Sequence, residues 1–366
     1  MKRPSQPTAR NSGSIAFVTP TLNGGGAERV AVELARYFVS QGQNFTFLLT
    51  KQADTDYQIP DGVVAVRPDA GANTGPFQQV RAIRRLMRED SSRVFVSFLA
   101  SQNVLTLLAG IGLPNRVYVS VRNIPEADLG GSRPLQFLRD LLYRRSAGVV
   151  FQMREQMGHF PRAIAERGTT IPNPLRDDLP QPWRGARRNV VATSGRLVPQ
   201  KNHPMTIEAF SRFLVKHPGF RLEVYGKGPL EQELRSFAVK LGVADSVDFF
   251  GFRDDATRRI CSASAYVMSS DFEGLSNSMI ESLAMGVPTA CTRCAGGGAE
   301  QTIADGVNGL LVDRGDVAGM ADAMARLVDD EEASAALSVR ALSLRDSMSL
   351  DVVGSMWAEL MFGDDK

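Results

Sequence analysis

Three histidines and three cysteines in 366 residues leave this chain short of the side chains from which most metal centres and many catalytic triads are built. With only Cys261, Cys291 and Cys294, no disulfide framework supports the fold, and this usage suits a reducing compartment. Cys291 and Cys294 have C-x-x-C spacing, but no second pair follows and His159, His203 and His217 are not close in sequence, so a zinc site lacks its four ligands. The same scarcity leaves a Ser-His-Asp triad without clear support. Long apolar runs are missing as well. Nothing approaches the roughly 18 uninterrupted residues that span a bilayer, so any membrane contact is expected to be peripheral. A net charge of +2 excludes the large basic excess of a nucleic-acid binder. Residues 1–13 are polar and basic, and the apolar run behind them, Ile15 to Val18, is too short for a signal-peptide core. A flexible tail on a cytoplasmic protein is expected.

What is present is a repeated alternation. IAFV, FTFLLT, VVAV, VFVSFL, VYVSV and GVVF are separated by amphipathic segments, which reads as βα units on a parallel sheet over residues 14–174. PLRDDLPQPWRGARRN is dense in Pro and Arg without periodicity, and residues 175–189 are expected to be a linker. The alternation resumes through NVVATSG, FRLEVYG, VDFFG, AYVMSS, PTACT and GLLV, giving a second α/β domain over 190–348. Residues 349–366 are helical by pattern and are expected to return to the first domain. Parallel sheets collect ligands at the carboxyl ends of their strands, so function is sought in the loops that follow strands.

TLNGGGAERV follows the first strand. Its glycines allow close backbone approach to a ligand, and the helix start favours an anion; a tight strand-to-helix turn explains it equally well. The spacing is neither G-x-G-x-x-G nor a Walker sequence, which disfavours a nicotinamide cofactor or ATP. In TSGRLVPQKNH, Arg196 and Lys201 share one loop, a pairing suited to a diphosphate, although two solvated cations are the commoner situation. YGKGPLEQEL is good helix-start grammar and reads first as a structural turn. EGLSNSMIE places Glu273 in a loop past a strand and Glu281 within the next helix. Ser278 and Glu281 fit a capping box, which would occupy Glu281 without any ligand; alternatively Glu273 and the amides of Gly274 to Asn277 form a mixed donor and acceptor site. GPFQQVRAIRRLMRED is a basic amphipathic helix carrying Arg81, Arg84, Arg85 and Arg88, and Arg139, Arg144 and Arg145 form a second cluster. Solvated helix faces and docking to anionic head groups or a lipid diphosphate both remain open for these arginines.

Taken in order, NGGGAERV, SGRLVPQKN, YGKGPLEQEL, VDFFGF, the E-x7-E of EGLSNSMIE and GGGAEQTIADGVNGLLV resemble the GT-B glycosyltransferases, specifically the large retaining family 4 that uses nucleotide-diphosphate sugars. The motifs run from Gly24 to about Leu311 and cover both domains. The resemblance implies two Rossmann-like domains facing a central cleft. It also implies roles: Arg196 and Lys201 hold the donor diphosphate, and Glu273 touches the donor sugar as a positioner. Gly274, Leu275, Ser276 and Asn277 join that site, Glu281 binds the ribose hydroxyls, and Gly25 and Gly26 close over the phosphates. No metal or other cofactor is implied, the co-substrate being a UDP-linked sugar. Many relatives carry a histidine after the strand matching VYVSVRN, where this chain has Arg122 and Asn123; similar Arg-Asn pairs in bacterial lipid-linked oligosaccharide and exopolysaccharide transferases imply acceptor or sugar contact. In that subset the acceptor is a polyprenyl-diphosphate glycan, reached by peripheral contact at the inner face of the cell membrane. The rival readings are a nucleotide-sugar binding or scaffold protein without turnover, and the same chemistry with a GDP-sugar and another acceptor.

Overall fold

The computed structural model describes residues 13–51, 57–67, 75–122 and 128–363. Residues 1–12 of the expected tail, and Asn123, lie outside the described residues. The chain divides into two compact units, the first ending at Pro174 and regaining the chain from Leu350, the second running from Leu175 to Ser349.

In the first unit the strands are β1 (Ser14–Thr19), β2 (Asn44–Leu49), β3 (Val64–Val66), β4 (Val94–Phe98), β5 (Val117–Val121), β6 (Gly148–Phe151) and β7 (Gly168–Thr170). They are joined by α1 (Gly26–Ser40), α2 (Pro76–Glu89), α3 (Ala100–Ala109), α4 (Arg133–Tyr143) and α5 (Arg162–Ala165). The sheet is parallel in the order β3-β2-β1-β4-β5-β6-β7, so the chain reverses its direction of travel between β1 and β4. Alternate residues of each strand serve opposite faces. Ile15, Phe17, Phe45, Phe47 and Phe98 pack with α1 on one side, while Ala16, Val18, Phe95, Val119 and Val121 pack with α2, α3 and α4 on the other. Burial on both faces explains why these strands read as nearly continuous apolar runs.

The second unit is built the same way. Its strands are β8 (Arg188–Ser194), β9 (Arg221–Tyr225), β10 (Val247–Gly251), β11 (Ala263–Met268), β12 (Thr289–Thr292) and β13 (Leu310–Val312), in the parallel order β10-β9-β8-β11-β12-β13. The connecting helices are α6 (His203–Leu214), α7 (Glu231–Lys240), α8 (Ala256–Cys261), α9 (Asn277–Ala284) and α10 (Gly298–Thr302). After β13 come α11 (Val317–Asp329), α12 (Glu331–Ala341) and α13 (Ser343–Ser347). The direction of travel reverses between β8 and β11.

The Pro- and Arg-rich stretch is not an open linker. Arg188 and Asn189 are already strand, and the segment before them is tied to the second unit. Arg187 donates to the carbonyls of Cys261, Ala263 and Gly286, and Arg345 donates to those of Leu179 and Pro180. Arginines that look like loop solubility in one dimension are here satisfying backbone acceptors.

The last helix, α14 (Leu350–Phe362), belongs to the first unit, where Val353, Trp357 and Met361 enter the core and the Trp357 ring lies 5.9 Å from that of Phe98. Tyr37 of α1 packs so closely that a Cβ on Gly354 would fall 2.4 Å from its ring, and its hydroxyl reaches Ser355 Oγ at 3.0 Å. Gly354→Ala should therefore destabilise the protein by about 1–3 kcal/mol through overpacking, outweighing the roughly 1 kcal/mol that alanine gains in helix propensity. Denaturant unfolding reads this directly, and a variant at least as stable as the parent would contradict the close α1–α14 packing.

Candidate active site

The loops after β8 and β11 leave the second sheet on either side of its reversal point, and there Lys201 and Glu273 meet. Lys201 Nζ donates to Glu273 Oε1, which also accepts from Ser270 Oγ at 2.9 Å. Both side chains are largely buried, so the pair is held by a desolvated attraction that neither partner can lose without leaving a buried charge.

The backbone is arranged to keep them together. Asn202 adopts φ 45°, a left-handed conformation that Asn tolerates better than most residues, and its side chain caps α6 by accepting from Met205 N–H. Its Nδ2 donates to Asp271 Oδ1 at 3.0 Å, while Asp271 N–H donates to the Gln200 carbonyl at 2.9 Å. Ser269 Oγ bonds the carbonyls of Lys201 and Asn202. Beneath this junction Gly195 N–H donates to the Tyr225 carbonyl and Leu197 N–H to that of Lys227. A Cβ on Gly226 would lie 1.9 Å from the Gly195 oxygen, and one on Gly228 would lie 2.4 Å from the Leu197 oxygen. The glycines of YGKGPLEQEL thus let one loop clamp the backbone of the other. Gly195 itself lies against the Lys201 stem, where a Cβ would come within 3.2 Å of Lys201 Cε.

Arg196, in the same loop, is exposed, and no ion pair or side-chain hydrogen bond engages it among the described residues. Its carbonyl lies 3.2 Å from His203 Nε2. That ring is buried and its Nδ1 has no partner, so the neutral tautomer protonated at Nε2 fits the site. Burial, opposed by the bond to the Arg196 carbonyl and assisted by the Lys201 charge, pushes the His203 pKa down to about 4.

Past Glu273 the chain turns at Gly274 and Leu275 into α9, whose first residue is Asn277. A Cβ on Gly298 would lie 2.0 Å from the Gly274 carbonyl, so the start of α10 rests directly on this turn. The capping box does not form. Ser276 is the N-cap residue and Ser278 is inside the helix, its Oγ 3.4 Å from the Ser194 carbonyl and 3.2 Å from Ser276 Oγ. Glu281, buried one turn further along, is too deep in α9 to be the third residue of a box. Cys291 and Cys294 are both buried; desolvation, aided by the Glu273 charge, raises both thiols, Cys294 up to about 12. Among the described residues no group of three His, Cys, Asp or Glu side chains comes together as metal ligands.

In the first unit Gly25 is the N-cap of α1 and Gly26 its first residue, at the carboxyl end of β1. Arg122 follows β5 at the same sheet edge, with Nη1 donating to Asn173 Oδ1 at 2.6 Å. Arg84 is used structurally: it donates to the carbonyls of Ala109 and Ile111 and so satisfies the end of α3. Arg139 is buried against Phe160 and paired with Asp140. Arg81, Arg85 and Arg88 remain exposed on α2. The sequence had no short-range signal for Asp271 or Ser269, whose partners lie some seventy residues away; Asn202 before His203-Pro204 was readable as N-cap grammar.

Two Rossmann-like units, each with a parallel sheet and its loops at the carboxyl edge, define the GT-B architecture. A solved structure of Anabaena Alr3699/HepE in complex with UDP and glucose matches it with a TM-score of 0.81 at 19% identity, over 95% of this chain and 98% of that one. Residues 188–330 match the family Glycosyl transferases group 1. A GDP-mannose-dependent alpha-(1-6)-phosphatidylinositol monomannoside mannosyltransferase of Mycobacterium tuberculosis is 30% identical over 80% of this chain and 81% of that protein. A Campylobacter jejuni alpha-1,4-N-acetyl-D-galactosaminyltransferase, named for an acceptor linked to PP-undecaprenol, is 27% identical over 87% of this chain and 89% of its own. The chain belongs to the glycosyl transferases of group 1. It spans only 21% of a matching Streptomyces coelicolor exopolysaccharide phosphotransferase and 43% of the Rhizobium meliloti lipopolysaccharide core glycosyltransferase LpsE.

His203 makes the site pH-sensitive in a defined direction. The folded protein keeps the ring neutral down to about 4, whereas the unfolded chain takes up a proton below about 6.5. The unfolded state therefore binds more protons between these values, and stability is full above this window and falls as pH drops through it. From pH 7 to 5 the loss should be about 2 kcal/mol, and His203→Gln should remove most of it. Urea midpoints at the two pH values measure this; equal slopes in parent and variant would refute the assignment.

Proposed function

We propose that this protein is a retaining glycosyltransferase that moves a hexose or N-acetylhexosamine from a UDP-sugar to a polyprenyl-diphosphate-linked or other saccharide in cell-surface glycan synthesis. The observation that carries the reading is the buried Lys201–Glu273 pair at the reversal point of the second sheet, in a chain of this family. A leaving diphosphate gathers negative charge as the glycosidic bond breaks, and fixed cations stabilise that charge most where water is excluded. Lys201 and the exposed, uncommitted Arg196 supply it, without a metal or other cofactor. Glu273 then orients the sugar hydroxyls as an acceptor group, with the start of α9 beside it, and Glu281 serves the ribose. Front-face attack, with the leaving phosphate taking the acceptor proton, retains configuration without a protein nucleophile.

The UDP assignment is supported by the likeness to a UDP-bound structure, and the lipid-linked acceptor by the Campylobacter relative. A GDP-sugar donor is the second reading, favoured by the mycobacterial relative at 30% identity. Among the described residues no helix is long and apolar enough to cross a membrane. Helices α2, α3 and α4 form one layer, and α4 turns an apolar stripe outward, with Phe137 73% and Leu141 51% exposed. Exposed Arg133, Arg144 and Arg145 flank that stripe, and Phe77, 79% exposed, sits beside the arginines of α2. Apolar side chains among cations suit the surface of an anionic bilayer.

Turnover of UDP-sugar should fall at least about 100-fold in Lys201→Ala and Glu273→Gln while both remain folded. A thermal-shift panel identifies the donor: stabilisation by UDP-sugars is expected, and a shift with GDP-sugars alone would replace UDP. Wild-type turnover in both variants would remove the assigned roles. The protein should sediment with phosphatidylcholine vesicles containing phosphatidylglycerol but not with phosphatidylcholine alone, and Phe137→Ser with Leu141→Ser should weaken this. Equal sedimentation of parent and variant would exclude α4 as the contact.

A further inference from the structure

At the amino ends of β5 and β6, on the edge of the first sheet opposite Gly25 and Arg122, lies a cavity of about 380 Å³. The end of α3 and the turn after it form one side, the segment entering β5 a second and the segment entering β6 the third. Leu107, Leu113 and Val117 give it apolar walls, and Arg116 and Arg145 bring it two cations from different parts of the chain. Both arginines are exposed, and among the described residues neither guanidinium has an ion pair or a hydrogen-bond partner. No Asp or Glu is among the described residues that line the cavity.

Solvated arginines on a flat surface would carry no argument. These two line one concavity, and like charges over low-dielectric walls focus their field into it. Their supports are also fixed. Asn115 Nδ2 donates to the carbonyls of Asp90 and Arg93 at 2.9 and 3.2 Å, which ties down the residue before Arg116. Asn115 Oδ1 is closed to solvent, so it turns no acceptor toward the cavity. Arg167 donates to the carbonyls of Arg144 and Ser146 at 2.7 and 2.8 Å, one on each side of Arg145. The carboxyl end of α3 would repel an anion, but Arg84 already occupies the carbonyls of Ala109 and Ile111. Gly112, at φ 75°, has open space where a Cβ would stand, so the turn leaves its side of the cavity clear.

Two uncommitted guanidiniums call for an anion, and their N–H groups match the oxygens of a phosphate. The volume falls within the roughly 300–1,000 Å³ of small-molecule sites. The surroundings favour a lipid over a free phosphate. Ile111, 44% exposed, lines the cavity, and Arg145 follows the end of α4, whose Leu141 is 51% exposed. Such apolar side chains do nothing for a free anion but suit the interfacial region of a bilayer. We propose that this cavity binds the phosphodiester of one anionic lipid head group, with its oxygens held by Arg116 and Arg145. The anion site follows from the cavity itself; only its assignment to a lipid rests on the membrane contact proposed for α4.

Titration calorimetry on the full chain tests it without a bilayer. The probes are monomeric dihexanoylphosphatidylglycerol and glycerophosphoglycerol, which carries the same phosphodiester without acyl chains. The parent should bind the lipid at least about fivefold more tightly than the chain-free probe. Arg116→Gln with Arg145→Gln should weaken the lipid about tenfold or more. Arg81→Gln with Arg88→Gln, an equal loss of charge on α2, should change it less than about twofold at physiological salt. All four side chains are exposed, and unchanged thermal midpoints verify that both variants fold. Unchanged lipid affinity without Arg116 and Arg145, or an equal loss in the two double variants, would overturn the site. Equal affinity of the parent for the two probes would overturn the lipid assignment. The readings fail separately. Lipid affinity that depends on Arg116 and Arg145, in a protein without sugar transfer or vesicle sedimentation, leaves the site standing; transfer and sedimentation with lipid affinity indifferent to both leave only the enzyme at its membrane.

Discussion

A lysine and a glutamate seventy-two residues apart, drawn from opposite sides of a sheet's reversal point, set the constraint around which the second unit is organised. A largely buried ion pair is a weak source of net stability, since desolvation consumes most of the attraction, but it is intolerant of misplacement. That intolerance accounts for the density of backbone bonding around it. Asn202 bends into a left-handed turn, Ser269 and Asp271 tie the two loops together, and Gly226 and Gly228 admit a third backbone from beneath. The glycines are needed for approach between chains as much as for turning. A methyl group at Gly226 would sit within 2 Å of a carbonyl oxygen, so the loop carrying Arg196 and Lys201 would be displaced as a whole.

Much of the fold was legible because its strands are buried on both faces. Val119 faces the α2–α4 side while Tyr118 packs with the opposite core, and such two-sided burial leaves short continuous apolar runs that stand out against the amphipathic helices. Placement was legible: Arg196, Lys201 and Glu273 were expected in loops that follow strands, and they lie in the loops after β8 and β11. What local grammar misjudged were residues whose partners are distant. Ser278 and Glu281 have capping-box spacing, yet α9 begins two residues too early for it, because Ser276 takes the cap position. Arg84 looks like one more cation on a basic helix, yet it closes the end of α3. Arg187 looks like linker polarity, yet it satisfies three carbonyls of the second unit. In each case a three-dimensional acceptor, absent from the sequence window, decides the role.

The two units use positive charge in different ways. In the second, Lys201 is already neutralised by Glu273 and Arg196 is exposed, so its cations are respectively held and uncommitted. In the first, Arg122 is desolvated and matched by no carboxylate among the described residues. An unmatched buried charge costs stability. Leu99, strained beside Phe98, adds to the cost at the same strand ends. A buried charge thus goes unmatched along one edge of the first sheet and is paired at the reversal point of the second.

On the glycosyltransferase reading, this contrast gives the Lys201–Glu273 pair a second use. Lysine is a compact charge on a flexible stem, so it can exchange one oxygen partner for another without rebuilding its surroundings, which a bidentate arginine cannot do as readily. Before donor binds, Glu273 prevents Lys201 from standing unpaired among buried groups. When a diphosphate arrives, Lys201 can turn to it, and the Glu273 carboxylate is released at the moment sugar hydroxyls need an acceptor. Ser270, which bonds the same carboxylate oxygen, keeps Glu273 in place through that exchange. On that reading the resting ion pair stores the two halves of the proposed donor site in a mutually satisfied form, and the ligand only has to separate them.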